Sequence, residues 1–157
     1  MRPRSVAAHL PNAILPEADW ADRYELLVLN ERLTAGEAAR RMLDPLPAWV
    51  RGLLALRNRI VSPVRLRTAA PAADRGLIGF FPVLLDDQHK AVLGFDDRHL
   101  DFRIVVDVRE GPADSQVVGV TTLVHRRNFL GRIYLALVTP FHKTIVPALL
   151  AGLNERH

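Results

Sequence analysis

The sequence predicts an α+β domain in which an antiparallel meander of strands leads into one long amphipathic helix. Three observations predict it. Strand-like runs rich in β-branched and aromatic residues follow one another over 77–85, 90–95, 99–110 and 115–127, joined by links too short to hold crossover helices. From residue 129 the apolar spacing lengthens from two to about 3.6 residues. Ahead of the meander stand one more strand-like run, 22–30, and two short helical patterns.

The first 19 residues are broken by Pro3, Pro11 and Pro16 and read as an irregular lead, with a single domain over 20–157. "DRYELLVLN" (22–30) has the composition of a strand. In "TAGEAARRML", Thr34 and Glu37 stand at capping-box spacing, where each side chain satisfies an orphan backbone N–H at a helix start. Pro45 and Pro47 end that helix and open a second, "AWVRGLLALRNRIV", which runs up to Pro63. The small-residue stretch "RTAAPAADRG" (67–76) reads as a loop.

Within the meander the links are Asp86-Asp87-Gln88, the cluster from Asp96 to Arg98, and Gly111-Pro112-Ala113-Asp114. The run from 100 alternates: Leu100, Phe102, Ile104, Val106 and Val108 on one face, Asp101, Arg103, Asp107 and Arg109 on the other. The first set is expected to be buried and the second exposed. In the last segment Leu130, Tyr134, Leu137, Phe141, Ile145 and Ala148 share a helical stripe opposite Arg132, Thr139 and Lys143. Pro140 and Pro147 each delete a helix hydrogen bond and predict a bend.

This order of elements resembles the helix-grip fold of START-like and polyketide-cyclase-like proteins, in which a curved sheet wraps a C-terminal helix. The strings "WVRGLLALRNRIVSP", "LGFDDRHLDFR" and "NFLGRIYLALVTPFHKTIV" resemble those of an uncharacterised bacterial family, domain of unknown function 2867, placed in the same superfamily (SRPBCC). The likeness runs over roughly residues 20–153. It implies a fold and a ligand cavity, and it brings no catalytic residues with it.

Composition narrows the function classes. At 157 residues, 49% hydrophobic and 24% charged, the chain has the make-up of one globular domain. Its net charge is +4, and 19 of its 21 basic residues are arginine. It contains no cysteine, which excludes disulfides, thiolate metal sites and a cysteine nucleophile. The start lacks the continuous apolar core of a signal peptide, and no apolar run approaches a membrane span, so a cytoplasmic location is expected. Dinucleotide, P-loop, zincin and serine-elbow motifs do not occur, and no cofactor is expected.

Three groups of residues are candidates for function. The cluster Asp96, Asp97, Arg98 and His99 is either a solvated turn or the lip of a pocket with Arg98 curling over the apolar wall at Phe102. His142 falls inside the apolar arc of the last helix beside Leu135, Val138 and Leu149. It is either a satisfied core histidine or a cavity group, lined by Tyr134 and neighboured by His125, that orients a ligand or acts as acid–base. A two-histidine metal site has no spacing to support it, and no metal is expected. The series Arg51, Arg57, Arg59, Arg65 and Arg67 is a solvated face or a basic rim with weak attraction for anionic surfaces. Without interleaved aromatic residues it does not suggest nucleic acid.

The leading expectation is a small-molecule-binding module for a hydrophobic ligand or lipid, with Arg98, Phe102, His125, Tyr134 and His142 as its ligand-binding residues. One alternative is a cyclase, dehydratase or hydrolase using His142. The other is an interaction domain acting through the arginine face. Trp20 and Trp49 are read as packing anchors.

Overall fold

The computed structural model describes residues 3–10, 13–29, 31–43, 77–78, 81–96 and 100–155. In chain order the elements are β1 (Arg4–Val6), β2 (Trp20–Leu29), α1 (Ala35–Leu43), β3 (Leu77–Ile78), β4 (Phe81–Asp86), β5 (Lys90–Asp96), β6 (Leu100–Glu110), β7 (Ser115–Arg126) and α2 (Phe129–Glu155). The strands lie in the order β1-β2-β7-β6-β5-β4-β3, and each neighbouring pair is antiparallel. The fold is therefore α+β, a curved antiparallel sheet with a C-terminal helix. The expected second helix at 48–61 and the loop at 67–76 lie outside the described residues.

Strand phase decides which face each side chain occupies. Leu26, Val28, Val106, Val118, Val120 and Leu93 point to one face and pack with Ala38, Ala39 and Met42 of α1 and with Leu149, Leu150 and Leu153 of α2. We call this the inner face. Burial of such side chains stabilises the fold at about 25 cal/mol per Å² of apolar area. α1 begins where expected: Thr34 Oγ1 accepts the Glu37 backbone N–H at 3.1 Å. A second orphan donor, the Ala35 N–H, reaches the Gln88 carbonyl in the β4–β5 turn at 3.0 Å. Asp87 shapes that turn by accepting the His89 and Lys90 N–H groups, which hold its carboxyl below the ordinary value.

Three expectations need correction. The run 77–85 is two strands, paired through Leu77↔Pro82 and Ile78↔Phe81. The lead is not irregular throughout, since Arg4–Val6 adds an edge strand to β2. Most consequential is the outer face of the sheet, which is not simply solvated. Leu15, with Ile14 and Ala18 beside it, packs on Val92, Val105 and Leu123. Asp101 is only 3% exposed, and Arg103 and Asp107 are half-buried, leaving Arg109 as the exposed member of the expected set. On the other side of the same strand Leu100, Val106 and Val108 are buried and Phe102 and Ile104 half-buried.

Further along the outer face, Arg23 lies flat across the sheet. Its guanidinium donates to both oxygens of Asp107 (2.6 and 2.9 Å), to Thr121 Oγ1 and to Glu25. Gly119 makes room for it: a Cβ there would stand 2.1 Å from Arg23 Nη2. Arg109 donates to Glu25 from the other side at 2.8 Å. The bonds from Arg109 and then Arg23 outweigh burial and hold the Glu25 carboxyl down at about 2.

α2 bends by 53° between Phe129–Leu137 and Thr139–Leu153, next to Pro140, which lacks the N–H of a helix hydrogen bond; Pro147 lies within the second segment. Thr139 and Thr144 donate their hydroxyls to the carbonyls of Leu135 and Pro140, a back-bonding that also bends helices. The buried side of α2 is not the Leu130–Leu137 stripe, since both of those leucines are exposed. It is the arc of Leu135, Leu149, Leu150 and Leu153, with His142 half-buried within it. Among the described residues no single helix is long and apolar enough to cross a membrane.

Candidate functional site

The inner face is apolar along most of each strand and is interrupted near one end. In β2 the inward residues are Trp20, Asp22, Tyr24, Leu26 and Val28, because they alternate with the outward Arg23 and Glu25. Asp22 is thus a carboxylate in an apolar phase. Its register partner on β7 is Thr122, itself in phase with Val118, Val120 and Val124. Thr122 pairs on its other side with Ile104 of β6, and the next pair along is Phe102↔Val124. A carboxylate and a hydroxyl thus lie side by side on an otherwise hydrophobic wall.

His142 descends on this spot from α2. Its Nε2 lies 3.1 Å from Asp22 Oδ1 and 3.0 Å from Oδ2. The ring meets Trp20 edge-on, with centroids 5.6 Å apart and planes at 74°, the geometry that aromatic quadrupoles favour. The two side chains are only 18% and 16% exposed, so the carboxylate needs its partner to be tolerated there. Tyr24 follows Asp22 on the same face. Burial, and then the Asp22 charge, push its phenol above the ordinary value, which keeps it a neutral hydroxyl.

Two polar atoms in this patch lack a hydrogen-bond partner among the described residues: Asp22 Oδ2 and Thr122 Oγ1. For Asp22 the orphaning is partial, since His142 Nε2 lies within 3.1 Å of both oxygens and pairs with Oδ1. For Thr122 it is complete, and the residue is 2% exposed. A buried hydroxyl without a partner is uncommon in folded proteins and calls for an explanation. Here the chemistry available is one acceptor, one donor–acceptor hydroxyl and an imidazole that can play either part.

The sequence-predicted site residues do not all converge on this patch. His142 is in it, and Phe102 flanks it in a cluster with Trp20, Leu100, Val124 and Leu135. His125 is not a neighbour of His142. Its strand phase is that of Leu123, so it stands on the outer face against Asp101, and the two histidines are separated by the sheet. Tyr134 lies on α2, but nothing is described of its side chain. Arg98, with Asp97 and His99, and the series from Arg51 to Arg67 lie outside the described residues, as does Trp49. The residues that sequence reasoning missed are Asp22 and Thr122. A signal for both was present, since each is a polar residue standing in the apolar phase of a strand.

The fold and this patch define a class: an α+β domain whose C-terminal helix covers one sheet face over a histidine–carboxylate pair. Within that class, residues 14–149 match the family described as a protein of unknown function, DUF2867, and the chain belongs to that family. No curated protein and no solved structure matches it.

Proposed function

We propose that the protein is a small-molecule-binding module of helix-grip type, whose ligand is mainly apolar and carries one polar group that docks between Asp22, Thr122 and His142. The observation that carries this reading is the partnerless Thr122 hydroxyl, set beside a carboxylate on a wall of Phe102, Ile104, Val120 and Val124. Ligand sites are mostly apolar with a few placed polar groups, and this patch has that composition. Trp20 and His142 give the polar end a rigid edge. A hydroxyl or amide on the ligand would donate to Asp22 and exchange hydrogen bonds with Thr122.

A second reading has its own support in the Asp22–His142 contact. A carboxylate on Nε2 selects the tautomer in which Nδ1 accepts a proton, the arrangement an acid–base histidine needs. Binding and acid–base chemistry share these residues, and the first is the simpler requirement.

Native mass spectrometry of freshly purified protein tests the proposal. The expected result is an added mass that organic extraction releases as a lipophile with at least one polar group. A chain that flies empty, and that takes up no member of a panel of fluorescent lipophiles in solution, overturns it. A released compound that the protein chemically alters on re-addition moves the assignment to the acid–base reading.

A further inference from the structure

On the opposite face of the sheet, we propose that Glu17, Asp101 and His125 form a binding site for a divalent transition-metal ion of the zinc type. The three residues come from the lead just before β2, from the start of β6 and from the end of β7. Their candidate ligand atoms all lie within 4.8 Å of one another. Asp101 and His125 are direct register partners, so the two strands fix their Cβ atoms at roughly 4.5–5.5 Å, the spacing of facing residues in an antiparallel pair. Backbone geometry, not chance meeting of long side chains, brings this donor pair together.

The distances suit a metal cradle. His125 Nδ1 is 3.3 Å from Asp101 Oδ2 and 3.7 Å from Glu17 Oε2. These are the distances of a long hydrogen bond and of a pair beyond hydrogen-bonding reach. They are close to the edge of a zinc tetrahedron, where ligands about 2.0–2.1 Å from the ion stand roughly 3.3–3.4 Å apart. The two edges at His125 are near that size, and the whole set lies within 4.8 Å.

Asp101 has features of a ligand held in place beforehand. It is 3% exposed, although its strand position predicts a solvent-facing residue. Arg127 grips it in two-pronged fashion, Nε to Oδ1 at 2.9 Å and Nη2 to Oδ2 at 3.0 Å. Each carboxylate oxygen has two lone pairs, so Oδ2 keeps one for the side that faces His125. Arg127 then serves as the outer partner that orients a ligating carboxylate. Two carboxylates against one guanidinium leave a net charge of −1 on the groups around the imidazole, which favours a cation.

One nitrogen and two oxygens form a donor set for zinc and its neighbours, whereas calcium and magnesium take oxygen alone. Three protein ligands also leave a fourth position for water or for an oxygen of a bound molecule, the count found in reactive zinc sites as opposed to closed structural ones. Glu17 belongs to the same lead as Leu15, so a bound ion would pin the lead against the sheet. The proposal is independent of the patch at Asp22, which lies on the other face.

The test is a titration of the tag-free full chain with Zn²⁺ at pH 7.5, in competition with a chromophoric chelator. One equivalent is expected to bind. His125→Gln is expected to lower the affinity at least 100-fold and Glu17→Gln about ten-fold, while Thr122→Val leaves it unchanged. Both ligand variants alter side chains that are partly or largely exposed, at 29% and 72%, and circular dichroism checks that each is folded. Zn²⁺ should also raise the melting temperature of the wild type and not that of His125→Gln. Absence of binding overturns the site, as does binding that survives His125→Gln, which would place the ion at another histidine.

Discussion

His142 of α2 and Asp22 of β2 hold each other across the helix–sheet interface, with one imidazole nitrogen within 3.1 Å of both carboxylate oxygens. The contact joins two elements 120 residues apart in a place where neither group is well hydrated. Removing one partner therefore does more than delete a bond, because it strands the other. His142→Ala should lower stability by roughly 1–3 kcal/mol, the penalty for a buried polar group left unsatisfied. Asp22→Asn should lower it by less, and the double variant should show a coupling above roughly 0.5 kcal/mol. Urea unfolding of the four proteins measures this, and additive losses would mean that the pair does not bind α2 to the sheet.

The Glu25 carboxyl makes a different prediction, in acid. Its ordinary value of 4.5 is lowered to about 2, first by the Arg109 hydrogen bond and then by Arg23. A depressed carboxyl stabilises the fold above its unfolded value, and that contribution is lost as pH falls through the folded value. The window is therefore about pH 4.5 down to 2. At 1.36 kcal/mol per unit the upper bound is roughly 3 kcal/mol, reduced because Arg109 is half exposed and screened by solvent. Melting temperature against pH should fall in this window for the wild type and be flatter for Glu25→Gln.

Gly119 tests the same network from the backbone. Replacing a strand glycine with alanine normally stabilises by about 0.5–1 kcal/mol through lost unfolded-chain freedom. Here the new Cβ would stand 2.1 Å from Arg23 Nη2 and 2.6 Å from its Cζ. The guanidinium must lift off, and its two-pronged hold on Asp107 goes with it. Gly119→Ala should therefore destabilise, by roughly 1–3 kcal/mol. In an Arg23→Ala background the obstruction is gone, so the same change should turn neutral or stabilising. A loss of equal size in both backgrounds would point to backbone strain.

Local pattern carried the meander, the Thr34 cap and the proline bend, because each depends on residues within a few positions of one another. What local pattern missed depends on the other side of the sheet. Asp101 looks like a solvent-facing residue until Glu17 and Arg127 close over it, and nothing near residue 101 announces that the lead folds back. Val105 was the available hint, a lone apolar residue in the charged phase of β6. The buried arc of α2 is only partly legible for a related reason: its apolar residues surround much of the helix, so periodicity leaves open which side meets the sheet. The cavity reading of His142 puts His125 beside it on the strength of its place near the end of the last strand. The phase of Leu123, buried on the outer face, separates them.

Thr122 gives the prediction in which stability and function part company. Its hydroxyl is buried beside Asp22 with no partner among the described residues, so folding strips it of water without replacing the lost hydrogen bonds. Valine has nearly the same shape and nothing to desolvate. Removing an unsatisfied buried hydroxyl should leave the fold unharmed or more stable, by up to roughly 1–3 kcal/mol. If the hydroxyl served only packing, nothing else would change. As a ligand-docking group it should behave differently: Thr122→Val should melt at or above the wild-type temperature yet bind its co-purifying lipophile about ten-fold less tightly, the equivalent of one hydrogen bond of about 1.4 kcal/mol. Thr122→Ser keeps the hydroxyl and should keep the affinity while losing some packing. Melts and binding curves on the two variants decide the matter, and a Thr122→Val protein that melts lower and binds normally would show that the hydroxyl has a structural partner and no part in the site.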